Sequence, residues 1–305
     1  MRRAAAAALL CLVLGGCGLG AGGGVGAVTE MVTRDFGRTA LPGSPVSFDA
    51  PGSETAMRAL ERRFKVTTRY GGGFVESIDG LGGGSAHGRP VDWFYYVNGV
   101  EAPKGAASTP LHHGDVVWWD RHDWSATQRV PAVVGAFPEP FAHGMDGERL
   151  PVRVECADGA DADCRAVEDE LGSIGAIPGE APLGTRSGEE LIRVLVGTWT
   201  QIRTDFAARL LDRGPGASGV YARFSADGRT LFGLDPEGRT VRTFGPGTGL
   251  VAATRDGDAP PVWLVTGTDA AGLAQAAKAM TVDALRNKFA VVLHDDLPIS
   301  LPTAP

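Results

Sequence analysis

The segment Asp92-Trp-Phe-Tyr-Tyr-Val-Asn-Gly99 decides the fold of the first part of the chain, together with Leu111-His-His-Gly-Asp-Val-Val-Trp118. The large β-forming side chains in each segment predict a β-strand. Asn98-Gly99 and Gly114-Asp115 are turn sequences, because their residues tolerate the backbone conformations that tight turns need. Two strands of one sheet are therefore expected here.

A single helix and further strands surround these segments. Met57, Leu60 and Phe64 form one apolar stripe, which predicts a helix over residues 54–64 with Ser53 as its N-cap. Strands are predicted at residues 29–36, 46–48, 66–70, 74–78, 93–97 and 116–119. The order of strand, strand, helix and then several strands is typical of a β-grasp sheet with one helix across it.

These residues carry a family resemblance. With Phe74-Val-Glu-Ser-Ile-Asp-Gly80 and Gly105, the two segments resemble the transcobalamin-like C-terminal domain of unknown function, which occurs on many bacterial surface proteins and at the end of transcobalamin and intrinsic factor. The resemblance covers residues 28–125. In the vertebrate proteins this domain closes over cobalamin beside a helical barrel, and this sequence lacks the repeated long helical hairpins of that barrel. The resemblance therefore implies a β-grasp domain and makes a corrinoid one candidate ligand.

Five aromatic residues of this domain are candidates for ligand binding. They are Trp93, Tyr95, Tyr96, Trp118 and Trp119. Side chains alternate between the faces of a strand, so one set must pack against the helix. The other set is either covered by the rest of the chain or open to a ligand. An exposed aromatic surface would suit a flat, partly apolar molecule or a glycan. Core packing is the competing interpretation for each ring.

The amino terminus predicts export and a membrane anchor. Arg2 and Arg3 precede an apolar run, which predicts a signal peptide over residues 1–16. Leu14-Gly-Gly-Cys17 resembles a bacterial lipobox, and this resemblance implies that Cys17 becomes the lipidated first residue. Residues 17–27 would then be a flexible tether that holds an extracytoplasmic protein on the cell membrane. A cleaved and freely secreted protein is the alternative.

Cys156 and Cys164 are the pair that remains once Cys11 is removed with the signal peptide and Cys17 carries lipid. In an oxidising compartment this pair predicts a structural disulfide. The formal net charge of −7 argues against a nucleic-acid partner, because such a partner requires clustered basic surface.

Residues 126–305 predict a second, mixed α/β domain, so that the whole chain is α+β. The expected strands are residues 152–156, 191–197, 220–224, 231–234, 240–244, 250–254, 262–266 and, as the last, 289–293. Helices are expected at residues 164–171, at 206–213 after an Asp205 cap rather than from Thr198, and after Gly267-Thr-Asp269. His294-Asp-Asp296 is interpreted as a charged terminus.

Chemistry-bearing motifs are scarce. The sequence has no nucleophile elbow, no zinc-protease motif, no Walker loop and no dinucleotide-binding glycine motif, so no catalytic residue and no cofactor are predicted. Metal-ligand residue types crowd the end of the first domain: His112, His113, Asp115, Asp120, His122 and Asp123. Their spacing does not place them on one side of a strand, so a solvated rim is predicted and no metal.

The leading hypothesis is a lipid-anchored, non-catalytic extracytoplasmic protein that binds a ligand or an envelope partner across the surface between its two domains. The ligand would be a corrinoid, another flat apolar molecule or a glycan. One rival is a surface hydrolase with its site in the second domain. That rival requires a histidine, a carboxylate and a nucleophile within hydrogen-bond reach in a pocket. The other is a structural envelope lipoprotein whose aromatic residues are all interior.

Overall fold

The computed structural model describes residues 26–70, 73–186 and 190–304. The predicted signal peptide and Cys17 lie outside these residues. Within them the chain is α+β, as predicted, with several β-sheets and short helices. None of the helices in the described part of the chain is both long and apolar enough to cross a membrane.

The first part of the chain contains a mixed sheet of seven strands with a helix on one face, and a separate antiparallel sheet of three strands. Its elements are β1 (Gly26–Arg34), β2 (Thr39–Ala40), β3 (Val46–Ala50), α1 (Ala56–Glu61), β4 (Val66–Arg69), β5 (Phe74–Ile78), β6 (Leu81–Gly82), β7 (Gly84–Ala86), β8 (Arg89–Val97), β9 (Val100–Glu101) and β10 (Val116–Asp123). The order in the seven-stranded sheet, which we call the first sheet, is β2-β1-β10-β8-β7, with β3 beside β1 and β9 beside β8. The three-stranded sheet has the order β4-β5-β6. The first and last long strands, β1 and β10, pair in parallel at the centre, as expected for a β-grasp sheet.

Two boundaries differ from prediction for local reasons. Strand β1 begins at Gly26, inside the predicted tether, because Gly26–Val28 pair with Phe48–Ala50 of β3. Helix α1 is shorter than predicted and is capped by Thr55, whose side chain accepts from the backbone N–H of Arg58. Ser53 belongs to the turn before the helix.

The second part of the chain is built on another sheet of seven strands, which we call the second sheet, and has a separate antiparallel sheet of three strands. Its elements are β11 (Val152–Cys156), α2 (Asp161–Ser173), β12 (Gly179–Pro182), β13 (Ile192–Val196), α3 (Trp199–Ile202), α4 (Phe206–Arg209), α5 (Pro215–Ser218), β14 (Ala222–Phe224), β15 (Leu231–Leu234), β16 (Thr240–Phe244), β17 (Gly249–Thr254), β18 (Val262–Gly267), α6 (Ala270–Lys278), α7 (Val282–Leu285), β19 (Ala290–His294) and β20 (Leu297–Leu301). The sheet order is β12-β11-β13-β18-β17-β19-β20, parallel as far as β18 and antiparallel beyond it. Helices α2 and α6 cover one face of it.

Asp205 caps α4, as predicted, but two other predictions for this part were wrong. A separate helix does follow Thr198, because Thr198 and Gln201 form a capping box at the start of α3. His294-Asp-Asp296 is no terminus: Asp295 and Asp296 form the tight turn between β19 and a further strand, β20. The predicted disulfide joins Cys156, at the end of β11, to Cys164 in α2.

A single apolar core joins the two parts of the chain. The face of the first sheet that lies opposite α1 contributes Met31, Tyr96 and Trp118 to it. The second sheet contributes the face that α2 and α6 do not cover, including Leu250, Leu264 and Val292. The predicted boundary near residue 125 therefore separates two sheets that share a core.

Candidate functional site

The five candidate aromatics divide between the two faces of the first sheet. Tyr96 and Trp118 lie on the face covered by the second sheet, and both are fully buried. Each packs edge to face against Phe289, at ring-centre distances of 5.6 and 5.3 Å. These two rings belong to the shared core and do not reach solvent. The predicted binding surface between the two domains is therefore wrong at these rings, because core side chains fill it.

The other three candidates, Trp93, Tyr95 and Trp119, lie on the face that packs against α1 and line a cleft of about 250 Å³. The cleft is bounded by β5, β8 and the segment between β9 and the strand β10. Phe74 lies at its mouth and is 38% exposed. We call this space the aromatic cleft.

Hydrogen bonds fix two of the three rings at the cleft. The indole N–H of Trp93 donates to the carbonyl oxygen of Leu81 at 2.9 Å. The hydroxyl of Tyr95 bonds to the carbonyl oxygen of Lys104 and to Oγ1 of Thr109. Burial raises the pKa of Tyr95, so this hydroxyl is neutral at physiological pH.

Trp119, the third ring of the cleft, makes no such hydrogen bond among the described residues. Its ring stacks on Tyr95, with ring centres 4.7 Å apart, and is only 2% exposed. Its indole Nε1 is buried and finds no acceptor among the described residues. A buried donor without a partner is unfavourable by about 1 to 3 kcal/mol, and a ligand with an acceptor atom would remove that penalty.

Charged groups of both signs border the cleft. Lys104 is exposed, whereas Glu101 is partly buried and pairs with Arg129 at 3.2 Å. Burial raises the pKa of Glu101, against the opposing effect of Arg129. The backbones of Gly73 and Gly105 approach closely at the mouth, where a Cβ on Gly105 would lie 3.3 Å from the carbonyl oxygen of Gly73.

A larger open pocket of about 570 Å³ lies at the amino ends of β11, β13 and β18. Its Arg153 and Arg193 are bound to the buried Glu155, and Arg193 also to Asp205. Burial alone would raise the pKa of Glu155, but the hydrogen bonds from the two arginines outweigh it and lower that pKa. Ligands of parallel sheets bind at the carboxyl ends of the strands, so this charge-compensated pocket is the weaker candidate.

His294 lies near both a hydroxyl and a carboxylate, the groups that the hydrolase hypothesis requires. Its Nδ1 lies 2.8 Å from Oγ1 of Thr248, and its Nε2 lies 3.8 Å from a carboxylate oxygen of Asp295. The Thr248 hydroxyl already donates to the carbonyl oxygen of Gly245, so His294 Nδ1 must be the donor to it. A general base needs the reverse arrangement, and Thr248 is fully buried.

The solvated rim predicted for the six metal-type residues was wrong for four of them, because Asp115, Asp120, His122 and Asp123 are buried. Asp120 and His122 lie in the shared core, where Asp120 accepts from His122 Nδ1 at 2.9 Å. The same carboxylate accepts from the backbone N–H groups of Phe36 and Gly37, so the pair is fixed structurally. Asp123 accepts from Ser125. His112, His113 and Asp115 lie together at the turn before β10.

The fold and the cleft define an α+β protein with a β-grasp sheet and an aromatic cleft beside its helix. Residues 53–123 match a family described as Domain of unknown function (DUF4430). This range includes α1, the aromatic cleft and β10, and it confirms in part the resemblance found in the sequence. No curated protein matches the chain.

Among solved structures, one match is a candidate metal binding protein from Ruminococcus gnavus ATCC 29149. It is 14% identical, and the alignment covers 32% of this chain and 97% of that chain, with a TM-score of 0.24.

Proposed function

We propose that this protein is a non-catalytic ligand-binding module and that the aromatic cleft is its binding site. The observation that carries the proposal is a cleft lined by aromatic rings, one of which, Trp119, has a buried indole N–H without a hydrogen-bond partner among the described residues. A flat, partly apolar ligand would stack on Tyr95, Trp93 or Phe74 and offer an acceptor to Trp119.

The size of the cleft limits the ligand. Pockets for drug-sized molecules range from about 300 to 1,000 Å³, so a cleft of about 250 Å³ suits one ring system or one sugar residue. A corrinoid is larger and would enter by an edge. Glu101 and Lys104 at the border would then contact polar groups of the part that stays outside.

Trp119→Phe tests the site. The change keeps an aromatic ring and removes the N–H, so we expect binding to weaken by roughly tenfold, the equivalent of one lost hydrogen bond. The measurement is tryptophan fluorescence during titration with cyanocobalamin, haem and N-acetylglucosamine oligosaccharides. Trp199→Phe is the matched control, because Trp199 is equally buried, has an unpartnered Nε1 among the described residues, and lies in the shared core.

Two results would contradict the proposal. One is an equal loss of affinity in the Trp119 and Trp199 variants. The other is no response to any of the three probes combined with full protection of Trp93 and Trp119 from acrylamide quenching, which would favour a structural role.

We also propose that the protein is held at the outer face of the cell membrane by lipid on Cys17. The lipobox-like Leu14-Gly-Gly-Cys17 supports this, and the Cys156–Cys164 disulfide suits an oxidising compartment. In cells fed radiolabelled palmitate, Cys17→Ala should abolish labelling, whereas Cys11→Ala should leave it unchanged. Persistent labelling of the Cys17 variant would exclude the anchor.

A further inference from the structure

The turn before β10 meets a loop from the connector between the two sheets. His113, on the turn, and His143, on the loop, have ring centres 5.5 Å apart and ring planes at 83°. The close approach depends on Gly114, which has a φ of +84° and would place a Cβ only 2.2 Å from Cγ of His143. The two histidines are 30 positions apart in sequence, so the pairing is a product of the fold.

Glu139 fixes the orientation of His143. One carboxylate oxygen lies 2.6 Å from His143 Nδ1, and the other accepts from the His143 backbone N–H at 2.8 Å. A carboxylate bound to Nδ1 holds the proton there and leaves Nε2 as a lone-pair donor. Among the described residues, neither His143 Nε2 nor the exposed ring of His113 makes a hydrogen bond.

The separation of the two ring centres is close to that of two imidazoles on one metal ion. On a tetrahedral zinc ion, a metal to nitrogen distance of about 2.1 Å, a further distance of about 1.1 Å to the ring centre and an angle of about 109° place two ring centres about 5.2 Å apart. The observed separation of the His113 and His143 ring centres is 5.5 Å.

The local charge favours a cation. Glu139 and Asp115 are both buried beside the histidines, at 1% and 2% exposure. Asp115 accepts from the backbone N–H of His112 at 2.7 Å, and its carboxylate lies 3.5 Å from His112 Nδ1. Among the described residues no lysine or arginine is bound to either carboxylate, so the two buried groups create a negative potential behind the rings.

We propose that His113 and His143 bind one divalent transition-metal ion, Zn²⁺ or Cu²⁺, through their Nε2 atoms. Imidazole nitrogen suits these ions, and water completes the coordination. Glu139 is a positioning residue that orients His143. The site is separate from the aromatic cleft and does not depend on the function proposed for it.

The described part of the chain contains another group of residues of metal-ligand type, but this group lacks a free thiolate for a metal ion. Cys156, Glu168 and Glu180 place three potential ligand atoms within 4.8 Å of one another. The Cys156 sulfur is bonded to Cys164, so it has no thiolate to offer a metal.

The test is calorimetric titration of the untagged protein with ZnCl₂ and with CuSO₄ at neutral pH. We expect one ion per chain, with His113→Ala and His143→Ala each weakening binding by about tenfold or more. His87→Ala is the matched control, since His87 is also an exposed histidine of the first sheet but lies outside the pair, and its affinity should not change. Mg²⁺ should not bind, because it prefers oxygen ligands.

Glu139→Gln separates positioning from ligation. It should lower affinity for both ions by about tenfold while the electron paramagnetic resonance spectrum of bound Cu²⁺ still shows two nitrogen ligands. His113 is exposed and makes no hydrogen bond among the described residues, so its variant remains informative even if His143→Ala destabilises the loop. Binding unchanged in His113→Ala, or no binding by the unaltered protein, would overturn the proposal.

Discussion

Glu30 shows how burial changes the chemistry of a single residue. Its side chain lies on the helix-facing side of β1 and is fully buried, and neither carboxylate oxygen has a hydrogen-bond partner among the described residues. Burial raises the pKa of Glu30 to about 8, while Arg63 opposes the shift and Glu54 adds to it. The native protein therefore contains a neutral Glu30 at neutral pH.

This pKa predicts the direction of a pH effect on stability. Between the ordinary glutamate pKa and about 8, the folded state binds a proton that the unfolded state has lost, so the free energy of unfolding falls as pH rises. The slope is about 1.4 kcal/mol per pH unit at most. Glu30→Gln should flatten this slope in thermal melts between pH 5.5 and 8, and Glu61→Gln, on the exposed side of α1, should not. An unchanged slope in Glu30→Gln would contradict the assignment.

Among the elements, the β19–β20 hairpin depends on an unfavourable pair of turn residues. Asp295 and Asp296 both have positive φ, +52° and +59°. A two-residue turn of this kind favours Asn followed by Gly, because glycine adopts positive φ without steric penalty. The hairpin adds the edge strand β20 to the second sheet, so its turn contributes to the stability of that edge.

Asp296→Gly should therefore raise the free energy of unfolding by about 0.5 to 1 kcal/mol. The change removes a left-handed backbone penalty of about 1 to 2 kcal/mol, which exceeds the roughly 0.5 to 1 kcal/mol lost through the greater freedom of glycine in the unfolded chain. The measurement is the urea midpoint at constant slope. Asp256→Gly is the control, since Asp256 is an exposed loop residue without positive φ, and there the extra flexibility of the unfolded chain should leave stability unchanged or lower it. A lower midpoint for Asp296→Gly would show that the aspartate side chain is needed in the turn.

For the whole molecule, the decisive feature is the core shared by the two sheets. Gly135, in the connector, lies where three elements meet: a Cβ there would be 2.5 Å from the backbone nitrogen of Lys288 and 2.8 Å from the Trp118 ring. The Gly135 carbonyl oxygen also accepts from the backbone N–H of Asn287. The connector thus joins the first sheet to the segment before β19.

Gly135→Ala should disturb this junction and lower the melting temperature of the whole protein in one transition, because both sheets lose packing together. Overpacking of a tight core site is unfavourable by about 1 to 3 kcal/mol. Gly184→Ala is a weaker perturbation, as no atom lies within 4 Å of its Cβ position, although its φ of +78° carries a local penalty. Two separate transitions, only one of them shifted, would show that the sheets unfold independently.

The sequence by itself determined the elements and the class of the fold. Periodic side chains and turn residues located β5, β11, β15 and β16 to the residue, and the cysteine count predicted the Cys156–Cys164 disulfide. These features depend on local backbone preference, which neighbouring residues encode. Helix α3 and the strand β20 were missed because a short capping box and a turn with two aspartates are weak local signals.

Only the tertiary structure decided which aromatic rings enter a cleft and which histidines meet. Alternation along β8 and β10 divides the rings into two sets, but it does not say which set the second sheet covers. Trp119 and Trp118 are adjacent in sequence and have opposite surroundings, and His143 meets His113 from a separate segment. The physical reason is that burial and ring-to-ring contact depend on the long-range packing of one sheet against another, whereas strand and helix formation depend on residues close together in the chain.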